Sequence, residues 1–331
     1  MTLHNARYGI AIAAAFSTAN GYAADPAPEK YPTKPIRFIM PYPVGGSIDL
    51  GGRTAAHQVG ENLGYQVVID NRTGAGGTLG AELGARAAPD GYTIVMGGTG
   101  TLAISPGMSR KLGYDVARDF APITLLATTP YVLVVPPSLP AKSIKELIAL
   151  AKTQPGKIIY ASGGSGSAPH LIGEVFRLKS GADFLHVPYK GSVPAKIDLM
   201  AARVQIFFTG VPSVVSELKV GTLRALGVTS GKRSASLPEV PTIAEAGVVG
   251  LAGFDVSPWF GILAPARTPP AIVSRLNTEF VKALQTPTVR DTMLRNGFNS
   301  VGNTPAEFTA FIAAERTQWA EAIRISGAKV E

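Results

Sequence analysis

The sequence predicts an α/β protein of two lobes, each built on a mostly parallel sheet flanked by helices. The chain has 331 residues, roughly twice the length of one ordinary domain. Short β-branched runs alternate with helical stretches, a pattern typical of parallel sheets covered by helices. Hydrophobic residues make up 46% of the chain and charged residues 16%, which indicates a globular protein with ample apolar surface to bury.

Ten short runs are the predicted strands. They are apolar nearly throughout, as expected of strands that are covered on both faces. In chain order they are Ile36–Met40, Gln66–Ile69, Tyr92–Met96, Ile123–Leu126, Val132–Val135, Lys157–Ala161, Phe184–Val187, Gln205–Phe208, Leu223–Val228 and Trp259–Leu263.

Helix starts are marked by capping residues. Three stretches have the spacing of capping boxes, in which side chains bind the free amides of the first turn: Ser143 to Glu146, Thr242 to Glu245, and Thr304 to Glu307. Thr268 before Pro269 indicates a further cap and an N-terminal proline. An amphipathic helix is predicted from Pro305 to Ile325, with one apolar face formed by Phe308, Phe311, Ile312, Trp319 and Ile323.

Two breaks suggest where the chain crosses between lobes. Thr128-Thr129-Pro130 separates two strand-like runs, and Ala252-Gly253 precedes an apolar segment. We therefore predict one lobe from residues 25–128 plus 255–331 and a second lobe from residues 129–254. A chain that crosses twice forms a hinge around a cleft, a common place for a small ligand.

The N-terminus predicts export. Arg7 precedes an apolar run from Tyr8 to Phe16, and small residues surround Ala23, which together resemble a secretory signal peptide over residues 1–23. No later apolar run reaches the length of a membrane span. We therefore expect a periplasmic protein that is cleaved after Ala23.

Charge and composition exclude several classes of protein. The formal charge of +8 favours attraction of anions, but the basic residues are scattered and no nucleic-acid partner is expected. There are no cysteines, so disulfides and thiolate chemistry are excluded. The four histidines show no zinc-ligand spacing.

The segment from Ile39 to Asp49 is the first predicted ligand contact. A strand runs into a Pro/Gly turn, and a helix is expected to begin at Ser47 or Asp49. Gly45 and Gly46 allow the backbone to approach a ligand closely. Free amides and the helix dipole favour an anion at such a turn, although a capped turn without a ligand fits the residues equally well.

The segment from Tyr160 to Leu171 repeats this pattern in the other lobe. Small residues follow the end of a strand, and a helix begins near Ser167 to Pro169. Ser162, Ser165 and Ser167 add hydroxyl donors beside the free amides. Two donor-rich turns, one from each lobe, would close on a single carboxylate.

Three further turns follow strands and supply weaker candidates. Thr99 and Thr101 lie in a Gly-Thr repeat, Tyr189 and Lys190 precede a helix expected near Pro194, and the run from Phe208 to Ser213 ends another strand. Tyr189 is a candidate cleft wall and Lys190 a candidate charge partner. For each residue taken singly, a role in a turn or cap is an equally good interpretation.

The enzyme motifs that we considered do not match. Gly163 to Ser167 lacks the second glycine of a nucleophile elbow, Gly74 to Leu79 misses the dinucleotide-binding spacing, and no Walker loop occurs. His170 is the best catalytic candidate, but a histidine at a helix start is more often structural. A hidden Ser–His–acid hydrolase is left as an alternative.

Ordered blocks along the whole mature chain resemble one known family, the Bug (TctC-like) periplasmic solute receptors of tripartite tricarboxylate transporters. The blocks are Tyr31–Arg37, Pro41–Asp49, Asp70–Gly77, Ala88–Tyr92, Asp119–Pro122, Ser165–Leu171, His186–Gly191, Leu223–Leu226, Pro238–Thr242 and Trp259–Pro265.

The resemblance implies a two-lobe Venus-flytrap fold of the type II periplasmic-binding class. It implies a carboxylate held between the two donor-rich turns, and large and small membrane subunits as partners. We expect a monomer with no catalytic residue, no metal and no cofactor. The predicted ligand-binding residues are Tyr42, Pro43, Gly45, Gly46, Ser47, Asp49, Thr99, Thr101, Ser162, Gly164, Ser165, Gly166, Ser167, His170, Tyr189, Thr209 and Ser213.

The sequence departs from the family pattern in two places. Ile48 replaces a common threonine in the first turn, where Ser47 is a possible substitute. Thr209 and Gly210 stand where many relatives have an acid that could bind an amino group. We therefore expect a ligand without an ammonium group, a dicarboxylate or an aromatic acid. A receptor that signals to a membrane kinase has the same fold, and the sequence does not separate it from a transport receptor.

Overall fold

The computed structural model describes residues 31–108 and 112–326, so the predicted signal peptide lies outside the described residues. The described chain forms eleven strands and eleven helices. The strands are β1 Ile36–Met40, β2 Val67–Asn71, β3 Thr93–Gly98, β4 Phe120–Thr128, β5 Tyr131–Val135, β6 Ile159–Ser162, β7 Leu185–Pro188, β8 Ile206–Gly210, β9 Arg224–Val228, β10 Trp259–Pro265 and β11 Asn299–Ser300. The helices are α1 Ser47–Leu63, α2 Thr78–Ala85, α3 Ser105–Met108, α4 Val116–Asp119, α5 Ile144–Thr153, α6 Ala168–Ser180, α7 Ser192–Met200, α8 Val215–Lys219, α9 Pro270–Gln285, α10 Pro287–Arg295 and α11 Pro305–Ser326.

All ten predicted strands are present, with bounds within three residues of those expected. They form two sheets. Lobe 1 is the six-stranded sheet in the order β11-β4-β10-β3-β1-β2 with its helices, and lobe 2 is the five-stranded sheet in the order β7-β6-β8-β5-β9 with its helices. The predicted α/β class is therefore confirmed.

Both sheets are mixed, which corrects the expectation of mostly parallel pairing. In lobe 1, β10 is antiparallel to both β3 and β4. In lobe 2, β5 is antiparallel to both β8 and β9. The reason is topological: β5 and β10 are the strands that the chain enters after crossing from the other lobe, so they begin at the edge where the parallel strands end and run away from it.

The membership of the sheets supports the proposed division into lobes. Strands β5 to β9 come from residues 131–228, and the remaining strands come from residues 36–128 and 259–300. The boundaries at 128/129 and 254/255 remain a proposal. The end of β4 lies beside the start of β10, where Trp259 pairs with Thr128. The two crossings between the lobes therefore lie side by side.

Each sheet is covered on both faces, which explains the apolar character of its strands. In β1, Ile36, Phe38 and Met40 pack with α1, α9 and α10, whereas Ile39 faces the other side and packs with α2 and α11. In lobe 2, Leu133 joins the cluster beneath α5 and α6, and alternate residues of β5 face α7. Burial of alternate side chains on opposite faces is what a strand geometry with period two produces.

The predicted caps have mixed outcomes. Both bonds of a capping box are present at Thr242/Glu245 and at Thr304/Glu307, although the first opens only a short 3₁₀ turn. Thr268 does not cap a helix: its hydroxyl donates to the Pro265 carbonyl at 2.7 Å. Because Pro269 precedes another proline, it is held in extended backbone, and α9 begins one residue later.

The capping box at Ser143 is half formed, and the predicted amphipathic helix is present. Ser143 accepts the Glu146 amide at 3.2 Å, while the Glu146 carboxylate accepts from the amide of Lys142 rather than that of Ser143. Helix α11 is present, and Phe308, Ile312 and Trp319 on its apolar face are buried, as predicted. None of the described helices is both long and apolar enough to cross a membrane.

Candidate ligand-binding cleft

A cavity lies between the two lobes, at the edges where the parallel strands of both sheets end. The cavity volume is about 70 Å³. Because one water needs roughly 10–15 Å³, there is room for a small ligand. Lobe 1 lines it with residues 41–43, 46–48, 73–77, 99–100 and 258–259, and lobe 2 with residues 131, 163, 167–169, 190–192 and 209.

The lobe 1 turn brings the start of α1 to the cavity. Gly46 is the N-cap residue, its amide donates to the Pro43 carbonyl at 3.2 Å, and the first bond of the helix runs from Leu50 to Gly46. The amides of the first turn therefore have no acceptor within the helix. Tyr42, Pro43, Gly46 and Ser47 line the cavity as predicted.

Asp49 and Gly45, also predicted to bind the ligand, instead hold this turn together. The Asp49 side chain is almost fully buried and does not line the cavity. Its carboxylate accepts the Gly45 amide at 3.0 Å, Arg53 Nε at 2.9 Å and Asn71 Nδ2 at 2.9 Å. Asn71 also donates to the Tyr42 carbonyl at 2.8 Å. Asp49 is thus a structural anion whose acceptor sites are occupied by the protein.

The lobe 2 turn places the start of α6 opposite. Ser167 is the N-cap residue, and its amide donates to the Gly164 carbonyl at 3.1 Å. Its hydroxyl is buried and has no hydrogen-bond partner among the described residues. A buried polar atom without a partner costs free energy, so Ser167, together with the neighbouring Ala168 amide, indicates a place where a ligand or water binds.

Most of the other residues predicted in this turn lie behind it. His170 Nδ1 accepts the Gly166 amide at 3.1 Å. The ring of His170 stacks on His186 with centroids 4.1 Å apart, and His186 Nε2 lies 2.7 Å from the Ser162 hydroxyl. Burial, with a smaller contribution from His170, lowers the pKa of His186 to about 3. These side chains support the turn and do not line the cavity.

The same holds for Gly164 and Ser165. Gly164 bonds the Ser162 hydroxyl through its own backbone, and neither Gly164 nor Ser165 lines the cavity. The alternative of a hydrolase gains no support either, because Ser162, His170 and His186 lie behind the turn and do not line the cavity. The described residues contain no group of three or more His, Asp or Glu side chains that could hold a metal ion.

Of the two predicted threonines after β3, only Thr99 reaches the cavity. Its hydroxyl accepts the Trp259 amide at 2.9 Å and so joins β3 to β10. Thr101 is fully buried and bonds both backbone groups of Gly98, which caps the π-helical turn Thr99–Ile104. Thr101 has a structural role because the turn folds back on its own start.

Tyr189 and Ser213 were also predicted as contacts and also point elsewhere. The Tyr189 hydroxyl donates to Asp198 Oδ2 at 2.8 Å, and Tyr189 does not line the cavity. Ser213 bonds the Gly210 carbonyl and the Thr209 hydroxyl, both at 2.8 Å. Thr209 itself lines the cavity and is the only predicted contact on this segment that does.

Aromatic walls were missed by the sequence analysis. Tyr131 and Trp259 line the cavity, each as the first residue of a strand that follows a lobe crossing. Trp259 Nε1 donates to Glu315 at 2.6 Å, which fixes the indole against α11.

The predicted Tyr42 also lines the cavity. The Tyr42 hydroxyl is buried without a hydrogen-bond partner among the described residues, and burial raises the pKa of Tyr42 to about 12.

The turn at residues 74–77 was missed as part of the cleft, and the turn after β7 was expected there, but without Gly191 and Ser192 as contacts. The glycine turn at residues 74–77 precedes α2, and Gly191 with Ser192 forms the start of α7. Four helices of eight residues or more, α1, α2, α6 and α7, therefore begin at the cavity. The signal was present in the sequence, since each of these turns follows a predicted strand.

The lobes are closed on each other. A side-chain carbon at Gly76 of lobe 1 would lie 2.7 Å from the Ser165 carbonyl of lobe 2, and one at Gly191 would lie 2.9 Å from Pro43. Gly210 of lobe 2 approaches Ser47 of lobe 1 so closely that an added carbon would meet its hydroxyl at 2.4 Å. The two predicted turns thus converge on one enclosed space.

The charge of the lining is one-sided. No Asp or Glu is among the lining residues that the structure describes, and Lys190 is their one fully charged side chain. Helix starts contribute partial positive charge. The arrangement can therefore bind a small anion through amides and hydroxyls, and it presents nothing to balance a cation.

Comparisons with known proteins agree with this geometry. The chain is 39% identical to the UPF0065 protein in the tcbD-tcbE intergenic region of Pseudomonas sp. strain P51, over 95% of this chain and 92% of that protein. It is 38% identical to protein BugT of Bordetella pertussis, over 97% of this chain and 98% of BugT.

Solved structures give the same result. An R. palustris protein solved with adipate matches with a TM-score of 0.88 and 34% identity over 91% of this chain and all of that one. MatC from Rhodopseudomonas palustris with bound malate matches with a TM-score of 0.84 and 29% identity, over 88% of this chain and all of MatC. Residues 52–327 match the family described as the tripartite tricarboxylate transporter family receptor, TctC. The chain belongs to this TctC family of solute-binding receptors.

Proposed function

We propose that the protein is a periplasmic receptor that binds a small carboxylate between its lobes and delivers it to the large and small membrane subunits of a tripartite tricarboxylate-type transporter. The observation that supports this proposal most directly is the enclosed cavity, at which four helices begin and which no described acidic side chain lines. Backbone amides at helix starts are effective anion ligands. The buried Ser167 hydroxyl adds a donor that no described residue uses.

Both halves of the cleft are needed for this binding. The α1 start belongs to lobe 1 and the α6 and α7 starts belong to lobe 2, so a carboxylate between them contacts both lobes at once. Hydrogen bonds to an ionised group are stronger than those between neutral groups. The bound anion therefore stabilises the closed form over an open one, which is how a receptor signals that it is loaded.

The ligand class follows from the lining and from the relatives. Two structural relatives were solved with adipate and with malate, both carboxylates with two acid groups. Thr209 supplies a neutral hydroxyl where an acid would be needed to balance an ammonium group. We propose a ligand without an ammonium group, a dicarboxylate or an aromatic acid, for which Tyr131 and Trp259 provide apolar walls.

Export and assembly complete the proposal. Cleavage after Ala23 would remove one arginine and no acid, leaving 30 basic and 23 acidic residues. The mature receptor would act as a monomer without a cofactor, and would perform no catalysis.

A thermal-shift and calorimetry screen of the mature protein tests the proposal. The panel contains dicarboxylates, tricarboxylates and aromatic acids, with their neutral amides as controls. At a hundredfold excess over the dissociation constant, a ligand should stabilise the protein by about 2.7 kcal/mol. Stabilisation by the amides but by none of the acids would refute the proposal.

A cavity-blocking variant sharpens the test. Gly46 has ordinary negative φ, so Gly46→Leu is tolerated by the backbone. A side chain there would meet Ser192 across the cleft, where even the first carbon lies 3.2 Å from its hydroxyl. The variant should keep its fold, measured by circular dichroism, and lose acid binding. Full affinity in this variant would place the ligand elsewhere.

A further inference from the structure

We propose that Lys190 binds a second carboxylate at the mouth of the cleft, so that the ligand is a dicarboxylate with one acid inside and one at the rim. This inference rests on the proposed function, because it assumes that the first carboxylate occupies the helix starts. It selects between the two ligand classes left open above, and it assigns a role to a lysine whose place in the cleft the structure reveals.

Lys190 stands at the rim. The next residue, Gly191, faces Pro43 of lobe 1, with only 2.9 Å between an added carbon and the proline ring. Val44, beside Pro43, is 63% exposed, which places this contact at the surface. Lys190 is itself exposed and lines the cavity, so the residue borders both the cavity and solvent.

The backbone around Lys190 is firmly held. The Tyr189 amide donates to the Ser162 carbonyl at 3.0 Å, and the Gly191 amide donates to the Gly163 carbonyl at 3.2 Å. The turn that carries Lys190 is thus bonded on both sides to the lobe 2 turn that leads to Ser167. The backbone of Lys190 therefore has a fixed position relative to the inner donors.

Among the residues that the structure describes, no acidic side chain balances the charge of Lys190. Within the described residues it forms no ion pair, whereas Lys196 on the following helix contacts Glu217 at 2.6 Å and the Ser213 carbonyl at 2.8 Å. Lys190 also precedes the N-cap of α7, the positive end of that helix, where a cation is unfavourable. An anion bound at the rim would remove this electrostatic mismatch.

The two ends of the cleft therefore suit two separate negative groups. The inner end offers amides and the buried Ser167 hydroxyl, which bind an anion without a full positive charge. The rim offers one full positive charge that remains in contact with water. Tyr131 and Trp259 line the same cavity and provide apolar contact for a carbon chain between the two acids.

Calorimetry with matched ligands tests this assignment. The probes are succinate, glutarate and adipate, each paired with its monoamide, which keeps the length and one acid but loses the second charge. Wild-type protein should bind the best diacid about tenfold more tightly than its monoamide. Lys190→Met should weaken diacid binding about two- to fivefold, a size appropriate for a solvent-exposed ion pair, and leave monoamide binding within twofold.

The control variant is Lys152→Met, which removes an exposed lysine of lobe 2 that does not line the cavity. It should leave both affinities unchanged. Added salt should weaken diacid binding to wild-type protein more than diacid binding to Lys190→Met, because an exposed pair is screened. Charge reversal by Lys190→Glu should make the monoamide the better ligand.

The outcomes separate this inference from the proposed function. Equal loss of diacid and monoamide binding in Lys190→Met, or a wild-type protein that prefers monocarboxylates, would overturn the rim site while the receptor function stands. Failure of every carboxylate to bind wild-type protein would overturn both.

Discussion

The two turns that enclose the cavity present the same groups but are held by different chemistry. In lobe 1 the α1 start rests on a charged carboxylate, Asp49, that accepts three N–H groups. In lobe 2 the α6 start rests on stacked rings, with His186 between Tyr160 and His170. The lobe 1 support is ionic and the lobe 2 support is aromatic.

The difference shows that a turn with free amides can be held rigid either by ionic bonds or by stacked rings. The ionic support reaches the surface through Arg53, whose side chain is 41% exposed, so its charge remains solvated. The aromatic support is largely buried, and the pKa of His186 is held low by burial. We therefore expect lobe 1 to respond to removal of charge and lobe 2 to respond to protonation.

The largest expected effect comes from removing the lobe 1 support. Asp49→Ala leaves Asn71 and Arg53 without their buried acceptor, and should lower the free energy of unfolding by about 3 kcal/mol. Urea denaturation measures this loss, and ligand affinity should fall with it because the turn is no longer fixed.

Asp291→Ala is the control for Asp49→Ala. Its carboxylate is 55% exposed and lies 3.9 Å from Arg290, so the loss should stay within about 0.5 kcal/mol. Similar losses in the two variants would show that the Asp49 network does not support the turn.

The next effect concerns contact between the lobes. Gly76→Ala adds a carbon that meets the Ser165 carbonyl when the cleft closes, so ligand affinity should fall tenfold or more. Gly76 has φ +65° and Gly64 has φ +71°, but nothing lies within 4 Å of a carbon added at Gly64. Gly64→Ala therefore has the same backbone strain, about 1 kcal/mol, without the clash. If both variants bind ligand equally well, closure does not require the Gly76 contact.

Much of the fold could be predicted because each strand lies beneath helices and is marked by apolar residues. β11 could not, since Asn299 and Ser300 are polar and pair with β4 only through tertiary contact. Strand direction was equally hidden, because the periodicity of apolar residues is the same in parallel and antiparallel strands. The antiparallel direction of β5 and β10 is set by the path of the chain between the lobes, which the pattern of apolar residues does not reveal.

The candidate site was predicted at the level of turns but not of side chains. Gly46 and Ser167 line the cavity because a helix start fixes their position locally. Asp49, Ser162 and Tyr189 do not line the cavity, because each side chain bonds a partner within the protein. These partners, Asn71, His186 and Asp198, are 9 to 24 residues distant in the chain, so the local sequence does not reveal them. Pattern reading places a residue on a turn, whereas the direction of its side chain depends on neighbours that only the fold supplies.

A smaller effect separates two serines of the lobe 2 turn. Ser167→Ala removes the buried hydroxyl that has no hydrogen-bond partner in the described part of the chain, so the unliganded protein should be as stable as wild type or slightly more stable. Ligand affinity should fall about fivefold, the effect of one hydrogen bond. Ser165→Ala, outside the cavity lining, should change neither quantity. Loss of stability in Ser167→Ala would mean that its hydroxyl serves the fold instead of the ligand.

The smallest effect is a pH dependence confined to the lobe 2 support. His186 has a pKa of about 3 in the folded protein and about 6.5 when unfolded. Below pH 6.5 the unfolded chain therefore binds more protons, and stability falls as the pH falls. Between pH 7 and pH 5.5 we expect a loss below about 1 kcal/mol, since the ring is partly open to solvent.

Two variants make this pH dependence decisive. His186→Phe preserves an aromatic ring between Tyr160 and His170 but cannot be protonated, so its stability should vary less with pH than that of wild type in chemical denaturation. His57→Gln alters an exposed histidine whose nearest acid, Glu61, lies 3.8 Å away, and it should follow the wild-type curve. If His186→Phe loses stability in parallel with wild type, another group is responsible, and the ring stack does not make lobe 2 the acid-sensitive half.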